Sequence, residues 1–285
     1  MPPQLPAVEG GQLLADKVAI VTGGGGGIGG AVSALFAAHG AMVVVVDNDT
    51  VRAAAVVDGI NGEHGARRAL GIVRDVTDPS AAAAVRDETL AAFGRVDVLV
   101  NNVGHYQPRA GDFHTSDESQ WQGLYDINYL HILRMTHAVL PGMIERGHGT
   151  VVNVSSVEGM RGYPPDPVYG AIKAAVIQFT KSLGLQVAGN GVRVNGIAPD
   201  MTETLQLPFS RWIPADQQYL WPTWVPVGRV GVAQDQARAV LFLASEQSGF
   251  ITGHTIPVDG GTAAAGGWYR SQRKPSGWTN APIDP

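Results

Sequence analysis

The chain contains no cysteine. That excludes disulfides, iron–sulfur clusters and thiolate zinc sites. Charged residues are scarce, at 16% against about 25% in an average soluble protein. Long apolar runs are missing too. The longest, Ala41–Val46, has six residues, far short of the ~18 needed to span a bilayer. No block of Lys and Arg occurs and the net charge is −5, so nucleic acid is not an expected partner. Met1–Gly11 holds three prolines and no basic residue, unlike a secretory signal with its charged and apolar regions. A cytoplasmic protein without membrane attachment is expected.

What is present is a hydrophobic content of 45% in 285 residues, enough for a sizeable core and against disorder. Apolar runs alternate with amphipathic stretches. Lys17–Thr22, Ala41–Val46, Ala66–Val73, Val96–Val100, Gly149–Val154, Gly191–Ile197 and His254–Val258 read as seven strands. Between them, Gly27–His39, Thr50–Gly62, Pro79–Phe93, Ser119–Arg146, Val168–Ala188 and Ala233–Ala244 read as helices. Continuous rather than alternating apolar strands suit a parallel sheet covered on both faces. The expectation is α/β: one Rossmann-type domain, a doubly wound parallel sheet of about seven strands, over residues 15–262. An N-terminal arm precedes it (1–14) and a Gly- and Pro-rich tail follows (263–285).

Thr22-Gly-Gly-Gly-Gly-Gly-Ile28-Gly29 lies between the first strand and the first helix. A phosphate approaching the backbone needs bare glycines, and a helix N-terminus offers it free N–H groups and a positive dipole end. Gly23, Gly27, Ile28 and Gly29 are therefore candidate dinucleotide contacts. Asp47 ends the second strand, where a carboxylate accepts from ribose hydroxyls and repels a 2′-phosphate. The Gly-rich loop has no basic residue and Asn48 follows Asp47. NAD is the expected cofactor. Asp75 and Val76, and Asn102 and Gly104 of Asn-Asn-Val-Gly, also lie at carboxyl ends of strands, where such sheets bind ligands.

Tyr169 and Lys173 are four apart on a predicted helix and share a face. An ammonium beside a phenol is expected to lower the Tyr pKa toward neutrality and ready it for proton transfer. Ser155 and Ser156 follow the fifth strand, and Asn128 interrupts an apolar helical pattern. His105, His114, His131 and His137 form no ligand motif, so no metal is expected.

Taken in order, the glycine loop, Asn-Asn-x-Gly, the buried Asn, the strand-five Ser and Tyr-x-x-x-Lys resemble the short-chain dehydrogenase/reductase family. The resemblance covers about residues 15–262. It implies a catalytic set of Asn128, Ser156, Tyr169 and Lys173, with Ser156 preferred because the family's Ser commonly stands 13 residues before the Tyr. It implies further cofactor contacts at Tyr169, Lys173, Pro199 and Thr204, an Asp47 that sets NAD preference, and a water at Asn128 linking Lys173 to solvent. It also implies a homotetramer. One departure stands out: Asp200 replaces the family's Gly after Pro199, which puts the local backbone in doubt.

The resemblance implies interconversion of a secondary alcohol and a ketone. Residues 202–227 fall where the family keeps its substrate lid and hold three of the six tryptophans. Aromatic walls suit a bulky, ring-containing, steroid-like or alicyclic substrate. A 3-oxoacyl thioester on a carrier protein or CoA is the alternative, although such reductases usually take NADPH. A dinucleotide-binding protein without catalysis is the remote third reading.

Overall fold

The computed structural model describes residues 12–65, 67–105, 112–271 and 278–279. Seven strands form one sheet: β1 (Val18–Thr22), β2 (Met42–Asp47), β3 (Ala69–Val73), β4 (Val98–Asn101), β5 (Gly149–Val154), β6 (Val192–Pro199) and β7 (Thr255–Val258). Their spatial order is β3-β2-β1-β4-β5-β6-β7. Every neighbouring pair is parallel. The flanking helices are α1 (Gly27–Ala38), α2 (Thr50–His64), α3 (Ala81–Phe93), α4 (Glu118–Tyr125), α5 (His131–Glu145), α6 (Pro167–Val187) and α7 (Ala233–Ala244). The doubly wound Rossmann-type sheet expected from the sequence is therefore present.

Period-two alternation explains why the strands are apolar throughout. Ala19, Val21, Val43 and Val45 join Phe36 of α1 and Val240 of α7 in one core layer. Ile20, Val44 and Val46 join Leu99, Met135 and Met143 in the layer on the other face. Fully burying each such side chain contributes roughly 1.5–3 kcal/mol. Leu14 is 1% exposed and belongs to the first layer.

The predicted long helix Ser119–Arg146 is broken. Asp126–Leu130 forms a π-turn between α4 and α5. An extra residue in the turn disturbs the backbone ladder, and such bulges cluster at functional sites. Asn128 sits at its centre, fully buried. Asp117 caps α4 with a reciprocal Gln120 bond, and Asp166 caps α6 by accepting from the Val168 and Tyr169 amides. Among the described residues no helix is long and apolar enough to cross a membrane.

Candidate active site

The strand order reverses between β1 and β4, and there the carboxyl ends open a crevice. Thr22 ends β1. Its hydroxyl donates to the Val100 carbonyl (3.3 Å) and accepts from the Asn102 amide (2.9 Å). The Asn102 side chain donates to the Thr22 carbonyl (2.9 Å). Asn102 thus braces the glycine loop through its side chain. Gly29 is the tightest point. A Cβ there would overlap the Gly23 carbonyl oxygen and lie 2.6 Å from Asn102 Nδ2. Gly29→Ala is expected to cost about 1–3 kcal/mol by overpacking and to weaken dinucleotide binding at least tenfold. Thermal melting and fluorescence titration check both.

The loop fits a dinucleotide. α1 begins with no side-chain cap on its first turn, so its amides are left for an anion. Asp47 is 8% exposed, and its carboxylate accepts from the Gly25 and Asp49 amides, each at 3.0 Å. One neighbour escaped sequence reading. Arg52 of α2 lies 3.5 Å from Asp47 and 3.3 Å from Asp49. The helical spacing from Asp49 to Arg52 was the available signal. Asp75 folds back on its own turn, accepting from Thr77 N and Oγ1, while Val76 is buried.

Across the crevice, β5 and α6 carry the second half of the site. Ser155 is buried and donates to the Lys173 carbonyl at 2.8 Å, so its hydroxyl is occupied in holding α6. Ser156 instead stands beside the Tyr169 phenol, close enough to draw its pKa down against burial. It also faces the Pro199 carbonyl at 3.5 Å. Lys173 Nζ lies 5.6 Å from the centroid of the Tyr169 ring. Ser156, Tyr169 and Lys173 are therefore brought together.

Asn128 reaches them through the β4 loop. Its amide donates to the His105 carbonyl (2.8 Å) and accepts from the His105 amide (3.0 Å). Gly104 lies between Asn128 and Lys173. A Cβ on it would stand 2.9 Å from Lys173 Nζ and 3.0 Å from Asn128 Oδ1. Only a glycine lets this turn rest on both side chains. His131, fully buried at the start of α5, contacts the Val103 carbonyl through Nε2 at 3.1 Å. Burial, helped by the Lys173 charge, pushes its pKa down to about 3, so it is neutral at ordinary pH.

One electrostatic expectation is overturned. Lys173 was expected to draw the Tyr169 pKa down, yet burial pushes that phenol well above its usual value. The reason is that Tyr169 itself is desolvated; Lys173 is buried as well, 3% exposed, and desolvation lowers its ammonium to about 8. In a dry site both charged forms are disfavoured. Tyr169 is therefore a protonated phenol at neutral pH.

The backbone doubt at Asp200 is also removed. Among the described residues only Asp16 and Arg67 are non-glycines at positive φ, so this turn does not demand Gly. The Asp200 carboxylate binds Arg161 (3.0 Å) and accepts from the Thr262 hydroxyl. Thr204, two turns on, packs toward the glycine loop. Its side chain is 3.7 Å from where a Gly27 Cβ would be. Ile197 is fully buried within β6.

The lid region folds largely on itself. Trp221 is 8% exposed and meets Phe209 and Trp224 edge-on, at 6.1 and 6.0 Å. Val227 donates to the Gly260 carbonyl at 3.0 Å. Trp221 is thus taken up in packing, which weakens its reading as a wall for a ringed substrate, while Trp224 stays exposed. Beneath the site runs a polar ladder that sequence reasoning passed over. Asn101 donates to Asn153 and Thr136, and Asn153 donates to Thr180. The signal was a lone Asn inside the buried strand Gly-Thr-Val-Val-Asn-Val.

Known proteins share this arrangement. A family model described as enoyl-(acyl carrier protein) reductase matches residues 23–263. The 3-oxoacyl-(acyl-carrier-protein) reductase of Chlamydia muridarum is 37% identical over 251 residues, 88% of this chain and 99% of its own length. The cis-4-hydroxycyclohexanecarboxylate dehydrogenase of Sinomonas cyclohexanicum is 36% identical over 259 residues, 89% of this chain and 99% of its own. Among solved structures, levodione reductase superposes with a TM-score of 0.82 at 29% identity, covering 88% of this chain and 99% of its own. With this fold, this site and these relatives, the chain belongs to the short-chain dehydrogenase/reductase family, whose members are oxidoreductases.

Proposed function

We propose that this protein is a nicotinamide-dinucleotide-dependent ketone reductase, with Tyr169 as proton donor, Ser156 as orienter of the substrate oxygen and Lys173 and Asn128 as their support. The observation that carries it is the placement of Ser156 and Tyr169 side by side next to buried Lys173, whose Nζ is 5.6 Å from the Tyr169 ring centroid. When bound, the cofactor supplies or accepts the hydride. Gly23, Gly27, Ile28, Gly29 and Asn102 would hold it, with Asp47, Asp75, Val76, Gly104, Pro199 and Thr204 along its course. The protein's own residues do the rest. Ser156 places the carbonyl oxygen at the Tyr169 hydroxyl. Tyr169, kept protonated by burial, gives its proton as charge develops on that oxygen. A raised phenol suits reduction better than oxidation.

The substrate reading supported best is a 3-oxoacyl thioester. A 3-oxoacyl-(acyl-carrier-protein) reductase is among the relatives at 37% identity, and Trp221, the buried aromatic of the lid, packs on Phe209 and Trp224. An alicyclic ketone is the second reading, favoured by the cyclohexanecarboxylate dehydrogenase and levodione reductase likenesses. Acetoacetyl-CoA and cyclohexanone derivatives, assayed in parallel, separate the two. Reduction of neither, with NADH or NADPH, would sink the proposal and favour a dinucleotide-binding protein without catalysis.

NAD remains the proposed cofactor, supported by the buried Asp47 carboxylate. We expect kcat/KM with NADH to exceed that with NADPH at least tenfold and Asp47→Ser to reverse much of that ratio. An unaltered ratio in Asp47→Ser would show that Asp47 does not set the preference. A cytoplasmic homotetramer belongs to the same reading. A light-scattering mass near the 29.9 kDa of one chain would remove the tetramer.

A further inference from the structure

The turn after β5, the end of β6 and the turn after β7 meet beside Ser156. Glu158 takes the Arg161 guanidinium in two bonds, at 2.8 and 3.3 Å. Asp200 takes the same guanidinium at 3.0 Å. Thr262 donates to Asp200 and, at 3.2 Å, to Asp259, whose carboxylate also accepts from the Ala263 amide at 2.7 Å. The cluster adjoins the reacting groups on both sides. Glu158 donates its amide to Ser156 Oγ (3.2 Å), and Asp200 directly follows Pro199, whose carbonyl Ser156 faces.

The charges do not cancel. Glu158 and Asp200 bring two negative charges against one guanidinium. Both carboxylates are mostly shielded, at 14% and 11% exposure, while Arg161 is 39% exposed. Asp259 adds a third carboxylate behind Thr262. The other nearby cation, Lys173, is buried behind Gly104; with its charge counted, three carboxylates against two cations still leave one excess negative charge. Asp200 itself stands where relatives of the resembled family carry Gly, and no backbone angle requires that Gly here.

We propose that Asp200, with Arg161 and Glu158, is a specificity determinant that makes the substrate rim net negative and selects neutral ketones, such as esters and thioesters, over the matching free carboxylates. This rests on the reading of the Ser156–Tyr169 site as a ketone-reducing centre. One excess charge about 10 Å away, at an effective dielectric of about 20, discriminates about tenfold.

The test compares kcat/KM for ethyl acetoacetate against acetoacetate, and for ethyl 4-oxocyclohexanecarboxylate against its free acid, at low salt and neutral pH. The ester should lead about tenfold or more in each pair. Asp200→Asn keeps the shape, removes the charge and should cut that ratio severalfold. Arg161→Met leaves two unpaired carboxylates and should widen it. A merely structural role would lower both members of a pair alike. A wild-type enzyme that handles the acid as well as the ester overturns the proposal, as does a ratio unmoved by Asp200→Asn. Calorimetric binding of cyclohexanecarboxylate against cyclohexanecarboxamide reads the rim without turnover. If no ketone is reduced while Asp200→Asn still tightens carboxylate binding, the reading of function falls and the rim stands. If ketones are reduced at flat ratios, the rim falls alone.

Discussion

Tyr169→Phe is expected to lower ketone reduction by about 10²–10⁴-fold, the usual worth of a positioned proton donor. The phenol lies beside Ser156, and burial keeps it protonated. Ser155 is committed to the Lys173 carbonyl at 2.8 Å, and the Tyr163 ring is 5.8 Å away, tilted by 59°. Phe keeps the ring that meets Lys173 and Tyr163, so the fold is retained. Steady-state kinetics with a parallel fluorescence titration of the dinucleotide separates a lost proton donor from a lost binding site. A variant within fivefold of the wild type would remove Tyr169 from the mechanism.

Lys173→Met is expected to abolish activity and yet stabilise the protein. Lys173 is 3% exposed, and its only described acceptor is the Val154 carbonyl at a long 3.4 Å. Desolvation lowers its pKa from 10.5 to about 8. The unfolded chain keeps the ordinary value. Between about pH 8 and 10.5 the unfolded state therefore holds a proton that the folded state has released, and stability rises with pH through that window. Below pH 8 the full cost of the buried charge is present, on the order of 3 kcal/mol. Met fills a similar volume without a charge. At pH 7 the Tm of Lys173→Met should rise by several degrees, at about 2–4 °C per kcal/mol for a chain of this size. The gain should shrink as pH approaches 10. A lower Tm at pH 7 would show that hydrogen bonds at Nζ outweigh the burial cost. Retaining such a lysine is the familiar trade of stability for function.

Much of this protein was legible before any coordinates. Strands such as Ala41–Val46 are runs of β-branched residues, and their local pattern dictates a doubly covered parallel strand. The glycine loop is legible for a similar reason, since Gly29 stands where no Cβ fits. Tyr169 and Lys173 share a helix face because the spacing is four. Each of these is decided within a few residues of chain.

What escaped was decided by partners far apart. The helix over 119–146 reads as continuous because a π-turn adds one residue without altering composition, and only packing of Asn128 on His105 shows it. Arg52 beside Asp47 depends on how α2 leaves β2. The lid tryptophans read as pocket walls, and the edge-on packing of Trp221 on Phe209 and Trp224 appears only in three dimensions.

By itself the sequence determined the fold class and pointed to the glycine loop and to the residues proposed for the reacting centre, because local periodicity and steric need for glycine are written in adjacent positions. Tertiary structure alone decided their charge. Burial raised Tyr169 and lowered Lys173 against the simple pairwise expectation. Contacts 39 and 62 residues apart tied Asp200 to Arg161 and Thr262. A side chain's protonation depends on the solvent it loses and the charges it meets, and both are set by which distant segments pack around it.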